Sequence, residues 1–294
     1  MASLEILPQL IINGLIAGAI YALAASGFSL VYYVLKFQYF SHGAIISLSA
    51  YLFFAFFNML GLNYVIAAFF TIIAAILLTL LTNFLVYRQL RKKKATPTTM
   101  LIASIVLLIF TSSLIIALFG SSTKAIGFRS KPFDLGVFSI TSLQISIILF
   151  AILLFLLLWL VLKKTRLGKA MRALADNKDV AQVVGINPEK IYSYTFIIAA
   201  VLGAFGGMLL GLEQNMYPRM GVLIIIKGFI SSVIGGLGSV PGSIVGGFFT
   251  GLVENIGIWF LPSGYKDVIS FTILLIFLLF RPQGFFGVKM RDDS

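Results

Sequence analysis

Two ionisable side chains lie deep within apolar runs of this 294-residue chain, where their types could do chemistry. Lys227 lies about six residues from one end of its run, and Glu254 about seven from an end of the next. At about 1.5 Å per residue, both would sit roughly 10 Å below a membrane surface and could pair. Such a pair could border a translocation path, stabilise one conformational state, or bind the ammonium and carboxylate of a zwitterion. Alternatively, Lys227 could extend outward to water and Glu254 could be purely structural.

His42 is a further candidate, with Ser41 before it as a possible N-cap. It is expected either as an interfacial hydrogen-bonding residue or as a functional group of a pathway. Little other chemistry is available, because the chain has no cysteine and a single histidine, which excludes thiolate metal sites and histidine clusters. The sequence contains neither H-E-x-x-H nor the nucleotide loop G-x-x-x-x-G-K-[ST]. We therefore expect no enzyme activity, metal or cofactor in this chain.

The composition is that of an integral membrane protein, with 60% hydrophobic residues, 28 phenylalanines and a mean hydropathy of +1.04. No basic residues precede the first run, and that run is longer than a signal peptide, so we expect a retained span. The net charge of +12 comes from basic residues beside apolar runs. The positive-inside rule explains this pattern as cytoplasmic loops, which argues against nucleic-acid binding.

Nine apolar runs approach the length of a membrane span. They cover 8–35, 41–60, 64–87, 98–119, 143–162, 191–212, 222–240, 242–261 and 268–280. Three basic segments should all be cytoplasmic: Arg88–Lys94, Lys163–Lys190 and the tail with Arg281, Lys289 and Arg291. Nine spans with the N-terminus outside and the C-terminus inside satisfy this condition. The sequence thus predicts an all-α polytopic bundle of about eight to nine spans, forming one transmembrane domain over 1–294.

Glycines mark two features of the predicted bundle. Gly203, Gly207 and Gly211 recur at four-residue spacing, which lets helix backbones approach closely in lipid. Within 222–242, Gly235, Gly236 and Gly238 interrupt the apolar run. Unwound backbone at membrane depth is tolerated only inside protein or beside water. We therefore predict a broken helix here that forms part of a pathway.

A charged insert, 163–190, separates two apolar runs. Leu167, Met171 and Leu174 follow i, i+4, i+7 spacing, which predicts a short amphipathic helix with Lys169 and Arg172 off its apolar stripe. Asp176 or Asn177 can cap a second helix through Val184, and Gly185 suits its C-terminal left-handed position. Asn187, Pro188 and Glu189 predict the start of the next span. The pattern leaves open whether the first helix lies on anionic lipid or docks a cytoplasmic partner.

Four stretches of the chain resemble the permease subunits of branched-chain amino-acid ABC importers, the Liv type. They are LGKAMRALADNKDVAQVVGIN in the insert, NGLIAGAIYALAASGFSLVY (13–32), KGFISSVIGGLGSVPGSIVGGFFTGLVE (227–254) and RPQGFFG (281–287). The similarity covers most of the chain in the family's order. One stretch departs from the family pattern, since Tyr33 replaces a glycine and Tyr39 an asparagine, while His42 and Gly43 remain.

The resemblance implies a subunit that imports branched-chain or other neutral amino acids across the bacterial cytoplasmic (inner) membrane. It implies as partners a second homologous permease, two cytoplasmic ATPases that bind the ATP and magnesium, and an external or periplasmic substrate-binding protein. The insert would hold the helix that couples to an ATPase. The implied coupling residues are Arg166, Leu167, Gly168, Lys169, Met171, Arg172, Ala173 and Leu174. The candidate pathway residues are His42, Lys227, Gly235, Gly236, Gly238 and Glu254.

Other functions stay open at this point. Related permeases move sugars, nucleosides or urea with the same architecture. An ion-coupled carrier or channel would be expected to carry several intramembrane carboxylates or charged rings, and Glu254 is the one clear candidate in the sequence.

Overall fold

The computed structural model describes residues 6–127, 130–134, 136 and 138–287, and the described chain is almost entirely helical. Lys289 and Arg291 of the predicted cytoplasmic tail lie outside the described residues. The helices before the insert are α1 (Leu7–Leu35), α2 (His42–Phe54), α3 (Tyr64–Thr82), α4 (Arg88–Lys92), α5 (Pro97–Phe119) and α6 (Ser142–Lys164). The later helices are α7 (Arg166–Asp176), α8 (Lys178–Val183), α9 (Pro188–Glu213), α10 (Met220–Gly235), α11 (Val240–Gly257) and α12 (Lys266–Phe280).

Two helices continue through π-helical turns, α2 as far as Met59 and α3 through Asn83–Tyr87 into α4. In the loop before α6, β1 (Pro132–Asp134) and β2 (Ser139–Thr141) form an antiparallel hairpin, with Phe133 opposite Ile140. The all-α prediction is confirmed, because this hairpin is the one sheet in the described residues.

Seven helical segments among the described residues are long and apolar enough to cross a membrane. They are Leu7–Leu35, His42–Met59, Tyr64–Lys92, Pro97–Phe119, Ser142–Lys164, Pro188–Glu213 and Ser263–Phe280. Helices α10 and α11 pass that test only as a pair, bent by 115° at the break between them. The broken helix is confirmed, and seven segments, or eight if the bent pair counts as one span, agree with the predicted bundle of about eight to nine spans. With 16 residues, α10 is about 24 Å long, shorter than the roughly 30 Å of bilayer hydrocarbon.

A glycine seam joins α1 to α11 at the centre of the bundle. A β-carbon added to Gly251 would collide with the backbone of Gly18, and one added to Gly247 would collide with the backbone of Ala22. At Gly14 it would lie 2.9 Å from the Cα of Leu252. The seam is antiparallel, because positions further along α1 meet earlier positions on α11. Close packing through small residues is therefore confirmed.

Helix α9 packs against α2 in the same way through the glycines at four-residue spacing. Gly207 lies against the carbonyl of Ile46, and Gly211 lies against the side chains of Ala50 and Met216. Helices α3, α5, α6 and α12 surround this core, and large apolar side chains such as Val106, Leu149 and Leu279 are exposed on them. In a membrane protein, such faces are suited to contact lipid or another subunit.

The basic segments lie on one side of the bundle. Arg91, at the end of the first segment, forms an ion pair of 2.7 Å with Glu189 at the start of α9. After Arg281, the chain packs on the end of α10, where Phe285 N–H donates to the carbonyl of Ile234 at 2.8 Å. The break beside that end lies near the end of α1, since a β-carbon on Gly238 would be 3.7 Å from the ring of Tyr32. The described basic segments therefore share one side, as the positive-inside rule requires.

We expect Gly247→Val to destabilise the bundle by about 1–3 kcal/mol, because the added side chain overpacks the backbone of Ala22. Gly264→Val is the matched control, since a β-carbon there meets nothing within 4 Å. Thermal unfolding of the purified proteins in detergent would measure both. Equal unfolding temperatures for the two variants would contradict the seam.

Candidate functional site

The insert folds as two short helices, and its first helix is held by its own chain. Thr165 caps α7 by accepting from Gly168 N–H at 3.1 Å. Gly168 lies against the last carbonyls of α6, so that a β-carbon there would collide with them. Met171 and Leu174 are buried in the core of the bundle. The predicted apolar stripe therefore faces the membrane spans and not lipid or a partner.

The second helix of the insert carries an exposed apolar surface. Asn177 caps α8 by accepting from the N–H groups of Asp179 and Val180 at 3.0 and 3.1 Å. Three valines of the segment point outward, with Val183 87% exposed; these residues, Val180, Val183 and Val184, are termed the valine patch. The patch was missed in the sequence, although its signal was present as apolar residues next to the glycine that ends the helix.

The local signals of the insert are confirmed. Gly185 has a positive φ of 85° just after α8, and Asn187 caps α9 by accepting from Lys190 N–H at 3.3 Å. Asn177, and not Asp176, provides the cap of α8. Each of these features depends on residues within three or four positions, which is why they could be recognised in the sequence.

The predicted coupling residues divide between two environments. Gly168, Met171 and Leu174 are buried, and Leu167, Arg172 and Ala173 are half-buried. Arg166 and Lys169 are exposed. The Arg172 guanidinium donates to the carbonyl of Leu162, which ties α7 to α6. Six of the eight predicted coupling residues are therefore buried or half-buried, and the exposed apolar surface of the insert is on α8.

Lys227 and Glu254 form the predicted pair, in a site closed by four helices. The ammonium of Lys227 contacts the carboxylate of Glu254, and the two residues are 5% and 1% exposed. Lys227 does not extend outward to water. Three further partners were not predicted from the sequence. Asp267 and Ser270 lie 2.8 and 3.1 Å from the Lys227 ammonium, and the Tyr21 hydroxyl donates to Glu254 at 2.9 Å.

This cluster of Tyr21, Lys227, Glu254, Asp267 and Ser270 is termed the charge cluster. Ser270 also donates to the Glu254 carboxylate, so every polar group in the cluster has a partner. Paired and hydrogen-bonded charges are the form in which ionisable groups are stable at membrane depth. The cluster connects α12, which is otherwise largely exposed, to α1, α10 and α11.

The break between α10 and α11 is ordered by the end of the described chain. Gly236 and Gly238 adopt positive φ values of 107° and 84°. Phe286 N–H donates to the carbonyl of Gly235 at 2.9 Å, next to the bond from Phe285 to Ile234. These two donors satisfy carbonyls at the end of α10, which a broken helix would otherwise leave without partners. The RPQGFFG stretch therefore caps the broken helix.

His42 occupies a slot between α1 and α9. A β-carbon on Gly27 or on Gly203 would meet the imidazole ring, and His42 is 0% exposed. Neither ring nitrogen has a hydrogen-bond partner among the described residues. Gly203 is fifteen residues into α9, so His42 lies against the middle of that helix. Ser41 provides no side-chain cap for α2, because its hydroxyl lies 2.6 Å from the Tyr87 hydroxyl instead.

The two tyrosines that depart from the family pattern have different environments. Tyr39 is completely buried and packs edge-on against Tyr87 and Phe196, with ring centroids 5.7 and 5.2 Å away. Tyr33 is half-buried, and its ring lies 5.5 Å from the Lys36 ammonium. Tyr39 therefore fills space beside His42, with a ring centroid distance of 6.1 Å.

The candidate pathway residues do not form a single site. Tyr21 of α1 contacts Glu254, whereas Gly27 contacts His42, and six residues of helix separate these points by about 9 Å. The break follows Gly235, eight residues or about 12 Å beyond Lys227, which lies near the middle of α10. All of these residues lie on or against α1 and α10. They occupy three separate places, which are the charge cluster, the slot of His42 and the glycine break.

Helical spans around a broken helix, with intramembrane charges and a helical insert on the basic side, define a multi-pass membrane transport protein. Residues 10–278 match the family described as branched-chain amino acid transport system / permease component. The chain belongs to this family.

Named relatives agree with this assignment. The chain is 34% identical over 294 residues to the high-affinity branched-chain amino acid transport system permease protein BraD of Pseudomonas aeruginosa, covering 95% of both chains. It is 37% identical over 150 residues to the permease protein LivH of Escherichia coli, covering 51% of this chain and 49% of that protein. A solved chain of PsaBC from Streptococcus pneumoniae, in complex with Fab, shares the fold with a TM-score of 0.53. That likeness covers 92% of this chain and 91% of the other at 15% identity.

We expect Lys227→Met to destabilise the protein by about 3–5 kcal/mol, because it leaves the buried Glu254 carboxylate without its cation, and Glu254→Gln to destabilise it less, because Asp267 still pairs with the Lys227 ammonium. The double variant should recover part of this loss. Thermal unfolding of the two single variants and the double variant measures the coupling between the residues. Lys266→Met is the control, since Lys266 donates to Asn255 at 3.0 Å outside the charge cluster. Strictly additive losses would contradict the pairing.

Proposed function

We propose that this chain imports branched-chain or other neutral amino acids as the membrane-spanning subunit of an ABC importer. Its membership of the permease family supports the transport role. The observation that carries the energy coupling is the insert, whose first helix is fixed to the spans while the valine patch of α8 is exposed on the basic side. The alternatives of a sugar permease or an ion-coupled carrier have no comparable support.

The proposed partners follow from this geometry and from the family. Two cytoplasmic ATPase subunits would bind ATP and magnesium, and one of them would contact the valine patch. A second homologous permease would complete a heterodimer in the membrane, against the exposed faces of the outer helices. A substrate-binding protein would deliver the amino acid from outside. The chain itself would hold no cofactor.

The insert is built to transmit a displacement. Movement of α8 passes to α7 through the junction at Asn177, and α7 is held to α6 by Arg172 and Gly168. Two helices packed in this way move together, because buried contacts and tight backbone approaches resist sliding. We propose that ATPase closure at the valine patch shifts the spans through this connection, with 163–190 as the coupling unit of one permease domain.

The proposed topology places the N-terminus outside and the C-terminus in the cytoplasm. The bend of 115° exceeds a right angle, so α11 runs back toward the side from which α10 came. A pair that returns to its starting side contributes two crossings or none, so with the seven other spans the total number of crossings is odd. An odd number supports termini on opposite sides, and the basic segments assign the inner side.

We propose that the charge cluster stabilises one state of the transporter and does not bind the substrate directly. Its groups already have partners within one chain, and α12 closes over it. The glycine break at Gly235, Gly236 and Gly238 and the slot of His42 are the better candidates for parts that change during transport. The break contains glycine backbone without side chains, and the slot holds an imidazole with no hydrogen-bond partner among the described residues.

The substrate assignment predicts ATP-driven uptake of leucine, isoleucine or valine. Walls rich in glycine and phenylalanine offer few partners for sugar hydroxyls, and each unpaired polar group would cost about 1–3 kcal/mol. The test reconstitutes the chain in liposomes with its ATPases, second permease and binding protein. Uptake of ribose, nucleosides or urea without competition from amino acids would overturn the substrate. Uptake without any ATPase would overturn the importer.

The coupling role predicts that Val183→Asp weakens ATPase attachment or uncouples hydrolysis from transport, because it places a charge on an exposed apolar surface. Asn187→Asp is the matched control, since it adds the same charge to the insert and aspartate also serves as an N-cap. Copurification of the ATPase and the ratio of amino acid imported to ATP hydrolysed are the readouts. If both variants behaved equally, the valine patch would be excluded as the contact with the ATPase.

Ala173→Glu addresses the other face of the insert. Ala173 is half-buried against the main core, so a charge there should disturb the seating of α7 while the protein still inserts. Weakened attachment is expected here as well. Unaltered transport and copurification in Ala173→Glu would contradict a fixed insert.

A further inference from the structure

A second feature of the basic side is a cavity to which the proposed transport role assigns no ligand. Its volume is about 450 Å³, and it lies between the inner ends of α1, α4, α5 and α9 and the junction of α7 with α8. Val34, Leu35 and Met100 form an apolar part of its wall. Four cationic side chains also line it: Lys36, Arg91, Lys94 and Lys178. Asp176 is the one acidic residue of its wall.

The wall of the cavity has a net positive charge even when the ion pairs among its residues are taken into account. Arg91 donates to both oxygens of Glu189, at 3.1 and 2.7 Å, and to Asn83 at 3.0 Å, so Glu189 offsets that guanidinium. Three lysines then face a single carboxylate. The Arg91 side chain is 11% exposed, and its remaining Nη1 is buried with no hydrogen-bond partner among the described residues. The excess of lysines and the unpaired Nη1 of Arg91 both favour the binding of an anion in the cavity.

The backbone at two of these lysines is strained. Lys36 and Lys94 have φ values of 58° and 53°, and they are the only non-glycine residues with positive φ in the described chain. Lys36 ends α1 and Lys94 follows α4, two positions where glycine or asparagine would adopt this conformation at lower cost. Both strained residues line the same cavity. Strain that recurs at one site indicates that the lysine side chains are needed there.

We propose that this cavity binds a phosphate group, carried either by an anionic phospholipid or by a soluble phosphate. Lysine ammonium groups bind phosphate as point charges. Basic pockets between membrane helices on the cytoplasmic side suit lipid headgroups, and the apolar wall of Val34 and Met100 adjoins the membrane spans. A bound phosphate would bridge Lys36 of α1, Lys94 before α5 and Lys178 of the insert. It would thereby stabilise the position of the insert against the spans.

The first experiment measures binding to the purified full chain in detergent. The probes are phosphatidylglycerol, phosphatidylcholine and inorganic phosphate at equal ionic strength, and the readout is the shift in unfolding temperature with concentration. Stabilisation by phosphatidylglycerol alone would identify a lipid headgroup site. Stabilisation by inorganic phosphate as well would identify a site for free phosphate. Equal stabilisation by phosphatidylglycerol and phosphatidylcholine, with none by phosphate, would overturn the proposal.

Variants at the strained lysines separate the site from general attraction to a membrane. Lys36→Gly and Lys94→Gly remove a charge but suit the positive φ, so the unliganded protein should unfold at the same temperature or higher. Each should weaken binding about fivefold. The control Lys163→Ala with Lys164→Ala removes two exposed charges at the end of α6, outside the cavity. An equal loss in the control would show non-specific attraction and overturn the site.

Discussion

The close approach of α1 and α11 is the constraint on which the rest of the structure depends. In lipid, helices gain little by hiding apolar surface from one another, so association needs short distances between backbones. Gly18 and Gly251 provide that distance, and so do Gly247 and Ala22. The seam brings Tyr21 and Glu254 within hydrogen-bonding distance. It thereby fixes where a buried lysine can find its partner, and the charge cluster is a consequence of the seam.

The inner end of the bundle depends on a second backbone arrangement. The break after α10 frees carbonyl groups that a membrane cannot hydrate, and the amides of Phe285 and Phe286 satisfy them. A β-carbon on Gly238 in the same break would lie 3.7 Å from the ring of Tyr32, near the end of α1. Helix α7 of the insert also contacts α1. The insert, the end of α1 and the break therefore form a continuous packed region on the side that carries the basic segments.

Much of the fold could be predicted because its signals are local. Apolar runs gave the positions of the helices, and caps such as Asn187 gave their starts. The count of spans was less secure, because length alone cannot tell whether two consecutive runs form two spans or one bent pair. That distinction depends on the 115° angle at the break, where Phe285 and Phe286 from a distant part of the chain hydrogen-bond the end of α10.

The sequence predicted those residue pairs of the candidate site that follow from depth in the membrane alone. It did not predict the pairs that depend on how the helices pack. Lys227 and Glu254 were paired from their equal depth, whereas Asp267 and Ser270 depend on α12 closing over them. The apolar stripe of α7 gave a helix with one buried face, but periodicity cannot say what covers that face. The structure covers it with the chain's own spans, because Gly168 permits α7 to fold back onto the end of α6. The apolar surface that remains available to a partner is therefore on α8, whose valines are exposed.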